Sequence, residues 1–150
     1  MKISLGCDEA AYQLKETIKQ HLQKAGHEVI DNGVGEGEVE LYPDVAVRTC
    51  KKVTDGTCDR GILVCGTGIG RAMTANKVPG IRAAVCHDPF STERSVLSND
   101  ANVMCMGARV IAPQLALYLL DIWMRLTFKN GPSTPKVERI MEYQKEFCGK

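Results

Sequence analysis

No stretch of this 150-residue chain approaches the roughly 20 consecutive apolar residues that span a bilayer. The opening MKISLGCDEAA has too short an apolar run for a signal peptide, so the expected compartment is the reducing cytosol. Charge of one sign is also scarce: 19 Lys and Arg stand against 18 Asp and Glu, a net charge of +1. No basic field is there to hold nucleic acid or an anionic membrane, so any anionic ligand must be held by a local site. Repeats, low-complexity tracts and linkers are missing too, which leaves one domain over residues 1–150, long enough to bury a sizeable core. Among the seven cysteines there is no C-x-x-C pair, which argues against a zinc site. Four of them (Cys7, Cys65, Cys86 and Cys105) fall in or at the ends of strand-like runs and read mostly as small buried hydrophobes.

Strand-like and helix-like segments alternate along the chain. KISLGC (2–7), HEVIDNG (27–33), DRGILVCG (59–66), IRAAVCHD (81–88) and NVMCMG (102–107) read as strands. Ala11, Leu14, Ile18, Leu22 and Ala25 form one apolar helix face, stopped by Gly26. Further helices are expected from Pro43 to about Thr54, from about Ile69, over 90–98, over 112–128 and over 134–147. The 112–128 helix is apolar around most of its circumference, which suits a core helix or one packed on a second subunit. Helical crossovers between strands imply a three-layer αβα, Rossmann-like α/β fold on a five-stranded parallel sheet. Ligands of such sheets bind beyond the carboxyl ends of the strands. That edge gathers Cys7–Glu9, Cys65–Gly70, Cys86–Asp88 and Met106–Arg109.

At this edge the stretch VCGTGIGRAMTANK (64–77) carries the chemistry. Glycines 66, 68 and 70 let backbone N–H groups, including that of Ile69, converge on an oxyanion or phosphate. A dinucleotide fingerprint is one reading, with Asp88 about 20 residues on as a ribose-binding acid. Against it, the spacing is G-x-G-x-G and follows the third strand. Cys65 favours another reading, because a thiol beside unpaired N–H groups favours its thiolate. A thiolate next to an oxyanion cradle suits proton abstraction beside a carbonyl, with Thr67 able to relay protons between neighbouring oxygens. Asp8 suits either an N-cap or a contact to substrate hydroxyls, and Glu9 suits a cap.

GCDEAAYQLK, CGTGIG followed by ANKVPGIRAAVCHD, SNDANV and MGARVI together resemble the ribose-5-phosphate isomerase B / galactose-6-phosphate isomerase family, in order over nearly the whole chain. The resemblance implies a cofactor-free and metal-free aldose–ketose isomerase of sugar phosphates that works through a cis-enediol. It also implies a homodimer or dimer of dimers, with each site built from two subunits. Carried over by position, Cys65 is the base, Thr67 the nearby hydroxyl, and Gly66 to Gly70 the anion hole. Asp8 and Asn99 match contacts to substrate hydroxyls, and Arg109 matches a phosphate-binding arginine. The chain departs from the family where histidine is typical, at Ser98 and Glu9, and where G-R-H-x-x-R is typical, at Gly131–Lys136. One phosphate arginine is thus Pro132 and the other Lys136, a point charge rather than a planar fork. Without a ring-opening histidine at 98, an open-chain tetrose 4-phosphate becomes a candidate substrate beside ribose 5-phosphate, unless His87 supplies the imidazole. A nucleotide-binding module and a non-catalytic phosphosugar sensor are the readings from other classes.

Overall fold

A computed structural model describes residues 1–149. The five strands are β1 (Lys2–Cys7), β2 (Glu28–Asp31), β3 (Arg60–Cys65), β4 (Ala83–Val85) and β5 (Val103–Gly107). They form one parallel sheet in the order β2-β1-β3-β5-β4. The helices are α1 (Tyr12–Lys24), α2 (Tyr42–Thr54), α3 (Ile69–Ala75), α4 (Pro89–Leu97), α5 (Pro113–Arg125) and α6 (Thr134–Cys148). A short 3-10 turn, Glu9–Ala11, leads into α1. Proline stands in the first turn of α2, α4, α5 and α6, where its missing N–H costs nothing.

Two apolar clusters flank the sheet and define its three layers. Ile3, Leu5, Ile62, Val64, Met104 and Met106 point to one face, where α1, α4 and α5 cover them. Leu63, Val103 and Cys105 point to the other, under α2 and α3. Central strands buried on both faces account for the near-continuous apolar run of β3. The α5 helix turns Ala116, Leu119, Leu120 and Trp123 into the core and leaves Tyr118 exposed, so one stripe is core and the rest is not. Arg60 braces its end: Nη1 and Nη2 donate to the carbonyls of Trp123 and Leu126 at 2.8 and 2.6 Å.

Strand β4 is shorter than the 81–88 run suggests. Side chains replace ladder bonds at its start, where Arg82 N–H donates to Asn102 Oδ1 at 2.8 Å. At its far end His87 turns away to Gly107. The sheet order also fixes where a ligand fits. The connection after β1 runs over one face and the one after β3 over the other, so their loops part and leave a crevice at the carboxyl ends.

Candidate active site

At the end of β3 the backbone turns through Gly66–Gly68 into α3. Gly68 adopts φ +79°, and a Cβ there would also lie 3.1 Å from the backbone of Met106, so only glycine fits. This tight turn folds the Gly68 N–H back onto Cys65, donating to Sγ at 3.0 Å. The Ile69 N–H donates to Thr67 Oγ1 at 3.3 Å. The N–H groups of Gly66, Thr67 and Gly70 make no hydrogen bond among the described residues and remain open to an anion. The expected cradle is therefore divided: three free donors, and two that orient the thiol and the hydroxyl. Gly70 admits the ring of Tyr42, from the first turn of α2, to within 2.8 Å of where a Cβ would stand.

Other strand ends bring the remaining groups to the same edge. Cys65 and Gly107 are register partners on β3 and β5. The Gly107 N–H donates to His87 Nε2 at 2.9 Å. A backbone N–H can only donate, so Nε2 is unprotonated and the ring proton sits on Nδ1. Burial lowers the His87 pKa, against the opposing pull of Asp88, and favours this neutral ring. His87 thus keeps its donor at Nδ1, while its acceptor nitrogen is occupied. Arg109 lies across the loop, its side chain about 3.5 Å from the Cβ position of Gly66, and its N–H donates to the Gly66 carbonyl at 3.0 Å.

Asp8 follows β1 on the opposite lip of the crevice. It stands at the N-cap position of the 3-10 turn without a side-chain cap bond among the described residues, and Glu9 sits exposed in the first turn. The nearest cation to Asp8 is Arg71 of α3, with Nη2 3.5 Å from Oδ2. Burial raises the Asp8 pKa, and the Arg71 guanidinium opposes that rise. Arg71 and Tyr42 escaped the sequence reading: an arginine just past a glycine loop reads as solvent-facing, and nothing local betrays its burial.

Three of the expected site residues are not gathered here. α4 starts at the carboxyl edge of the sheet and runs back, so Ser98 and Asn99 follow it at the amino edge. There Asp100 carries Arg82, with Oδ2 accepting from Nη2 at 2.6 Å. The four steps of β5 alone set that edge about 13 Å from Cys65. Asn99 lines a largely apolar cavity of about 520 Å³ between β4, α4 and α6, away from the chemistry. Lys136 begins α6, whose later turns reach Gly80 and Arg82 on this amino edge.

A buried thiol, free backbone donors, a carboxylate and an arginine around one crevice define an α/β enzyme that acts on a small anionic substrate. The Ribose/Galactose Isomerase family model matches residues 3–140. The "Ribose-5-P isomerase B" of Listeria innocua is 50% identical over 142 residues, covering 95% of this chain and 96% of that one. The "D-erythrulose-4-phosphate isomerase" of Pectobacterium atrosepticum is 48% identical over 145 residues, covering 96% and 95%. The solved structure of Clostridium thermocellum ribose-5-phosphate isomerase B superposes with a TM-score of 0.95 at 44% identity, over 98% of this chain and 99% of that one. The chain belongs to the ribose/galactose isomerase family and is a sugar-phosphate isomerase. The nucleotide-binding reading gives way to that finding.

Proposed function

We propose that the chain interconverts ribose 5-phosphate and ribulose 5-phosphate through an enediolate, with Cys65 as the base. The observation that carries this is the Cys65 sulfur beside the free N–H groups of Gly66, Thr67 and Gly70. In the open-chain aldose phosphate, the thiolate takes the C2 proton. The C–H electron pair becomes the C1=C2 double bond, and the carbonyl electrons move to O1, where the free N–H groups hold them. The thiol returns its proton to C1, O2 becomes the carbonyl, and the O2 hydroxyl proton passes to O1 by way of Thr67. Arg109 holds the phosphate, and Asp8 accepts hydrogen bonds from substrate hydroxyls.

Residues 98 and 99 lie on the wrong edge to help within one chain, which supports a homodimer or dimer of dimers in which a second copy brings them together with Lys136. Exposed Leu41, Ile69 and Met73 around the loop fit a surface that such a partner covers. A second reading, favoured by Ser98, is the same chemistry on erythrulose 4-phosphate and erythrose 4-phosphate. A tetrose 4-phosphate has its O4 esterified and cannot close a furanose, so it needs no ring-opening acid. His87 Nδ1–H can supply the acid half of ring opening, but its Nε2 cannot supply the base half while it accepts from Gly107. A coupled assay with both substrate pairs tests the proposal. Higher kcat/KM on the pentose phosphates supports the first reading, preference for the tetrose pair establishes the second, and ligand binding with no turnover of either would leave a sensor.

A further inference from the structure

Arg71 follows the glycine loop directly, yet it is fully buried. Its N–H groups find few partners there. Nη1 donates to the Tyr42 carbonyl at 3.4 Å, and Nη2 stands 3.5 Å from Asp8 Oδ2. Among the described residues, Nε and Nη2 make no hydrogen bond, and neither does the buried Asp8 Oδ1. A sealed guanidinium this poorly satisfied is costly, and an apolar side chain would fill the space under α2 at less expense. A pair selected for stability would close to about 2.8 Å and fork both oxygens. This one stays open, against a carboxylate only 8% exposed at the crevice lip.

We propose that Arg71 is a positioning residue of the active site, holding Asp8 as a charged, oriented carboxylate at the crevice lip for the substrate's hydroxyls. This rests on the isomerase reading for Asp8's role, although the Arg71–Asp8 pair itself does not. The charges acting on Asp8 are Arg71 from α3 and Glu9 beside it. Burial and Glu9 both push toward the neutral acid, and Arg71 opposes them. Removing that charge shifts the balance further toward the neutral acid.

The test is a carbon-13 titration of the Asp8 carboxyl, without substrate, in the parent chain, Arg71→Gln and Arg71→Lys. The expected result is a midpoint that moves up by about one pH unit or more in Arg71→Gln and returns toward the parent value in Arg71→Lys. The acidic limb of kcat/KM moves with it, and Arg71→Gln adds less than about twofold in an Asp8→Asn background. An unmoved midpoint in folded Arg71→Gln overturns the proposal. Should that variant not fold, the Arg71 Nε nitrogen-15 resonance of the parent decides: it follows the Asp8 midpoint, and a flat trace overturns the proposal. A moved midpoint in a chain without turnover would reject only the isomerase reading. Turnover with an unmoved midpoint would reject only the role of Arg71.

Discussion

Burial raises the Cys7 thiol to about 11 and the Cys50 thiol to about 12, so both stay protonated at neutral pH. Cys65 receives the Gly68 N–H on its sulfur, a bond that strengthens as negative charge develops there. Its place beside the loop was legible because a cysteine before G-x-G-x-G is a local pattern. Arg71 was not legible, because its burial depends on α2 lying over α3. A second buried cation, Lys15, has the opposite economy. Its Nζ lies 2.9 Å from Asp31 Oδ2 and 2.6 Å from Glu16 Oε1, and it also donates to the Val34 carbonyl. Burial pushes Asp31 up, but hydrogen bonds from Lys19, Lys15 and the Gly33 N–H outweigh it, and the net pKa is lowered. A lowered carboxylate stabilises the fold above its unfolded pKa, near 3.9, and loses that contribution as pH falls through the folded value. Asp31→Asn should therefore lower the melting temperature at pH 7, with a gap from the parent that narrows below about pH 4. A gap independent of pH would contradict the pairing.

Among the elements, the start of α2 was readable from Pro43 and the end of α1 from Gly26. The sheet order was not, since nothing local states that β5 slots between β3 and β4. That order is what sets Gly107 beside the loop, where a Cβ would lie 2.7 Å from the backbone of Thr67. Gly107→Ala should displace the Thr67 turn and cost at least about tenfold in kcat, with a loss of stability on the order of 1–3 kcal/mol. Parent-like kcat in this variant would mean that the turn has slack. His87→Ala should leave the Gly107 N–H unpaired and lower kcat/KM. If His87 donates during ring opening, the loss is larger on ribose 5-phosphate than on a tetrose phosphate. Equal losses on both would restrict His87 to bracing Gly107.

For the molecule as a whole, the αβα class followed from the alternation of strands and helices, but the edge on which each motif falls did not. The motif SNDANV sits close in sequence to the Cys86–Asp88 strand end, yet α4 carries it to the far edge. A shared site predicts complementation: Cys65→Ala and Lys136→Ala, each impaired alone, should recover about a quarter of parental activity when co-expressed, because half the dimers carry one intact site of two. No recovery in a verified heterodimer would mean that each chain works alone.

The central claim is that Cys65 moves the proton, and its most direct test is steady-state turnover of Cys65→Ala on the better substrate of the pair. The account predicts kcat lowered by about 10²–10⁴-fold with KM within a few-fold of the parent. A loss of less than tenfold would contradict it and point to another base.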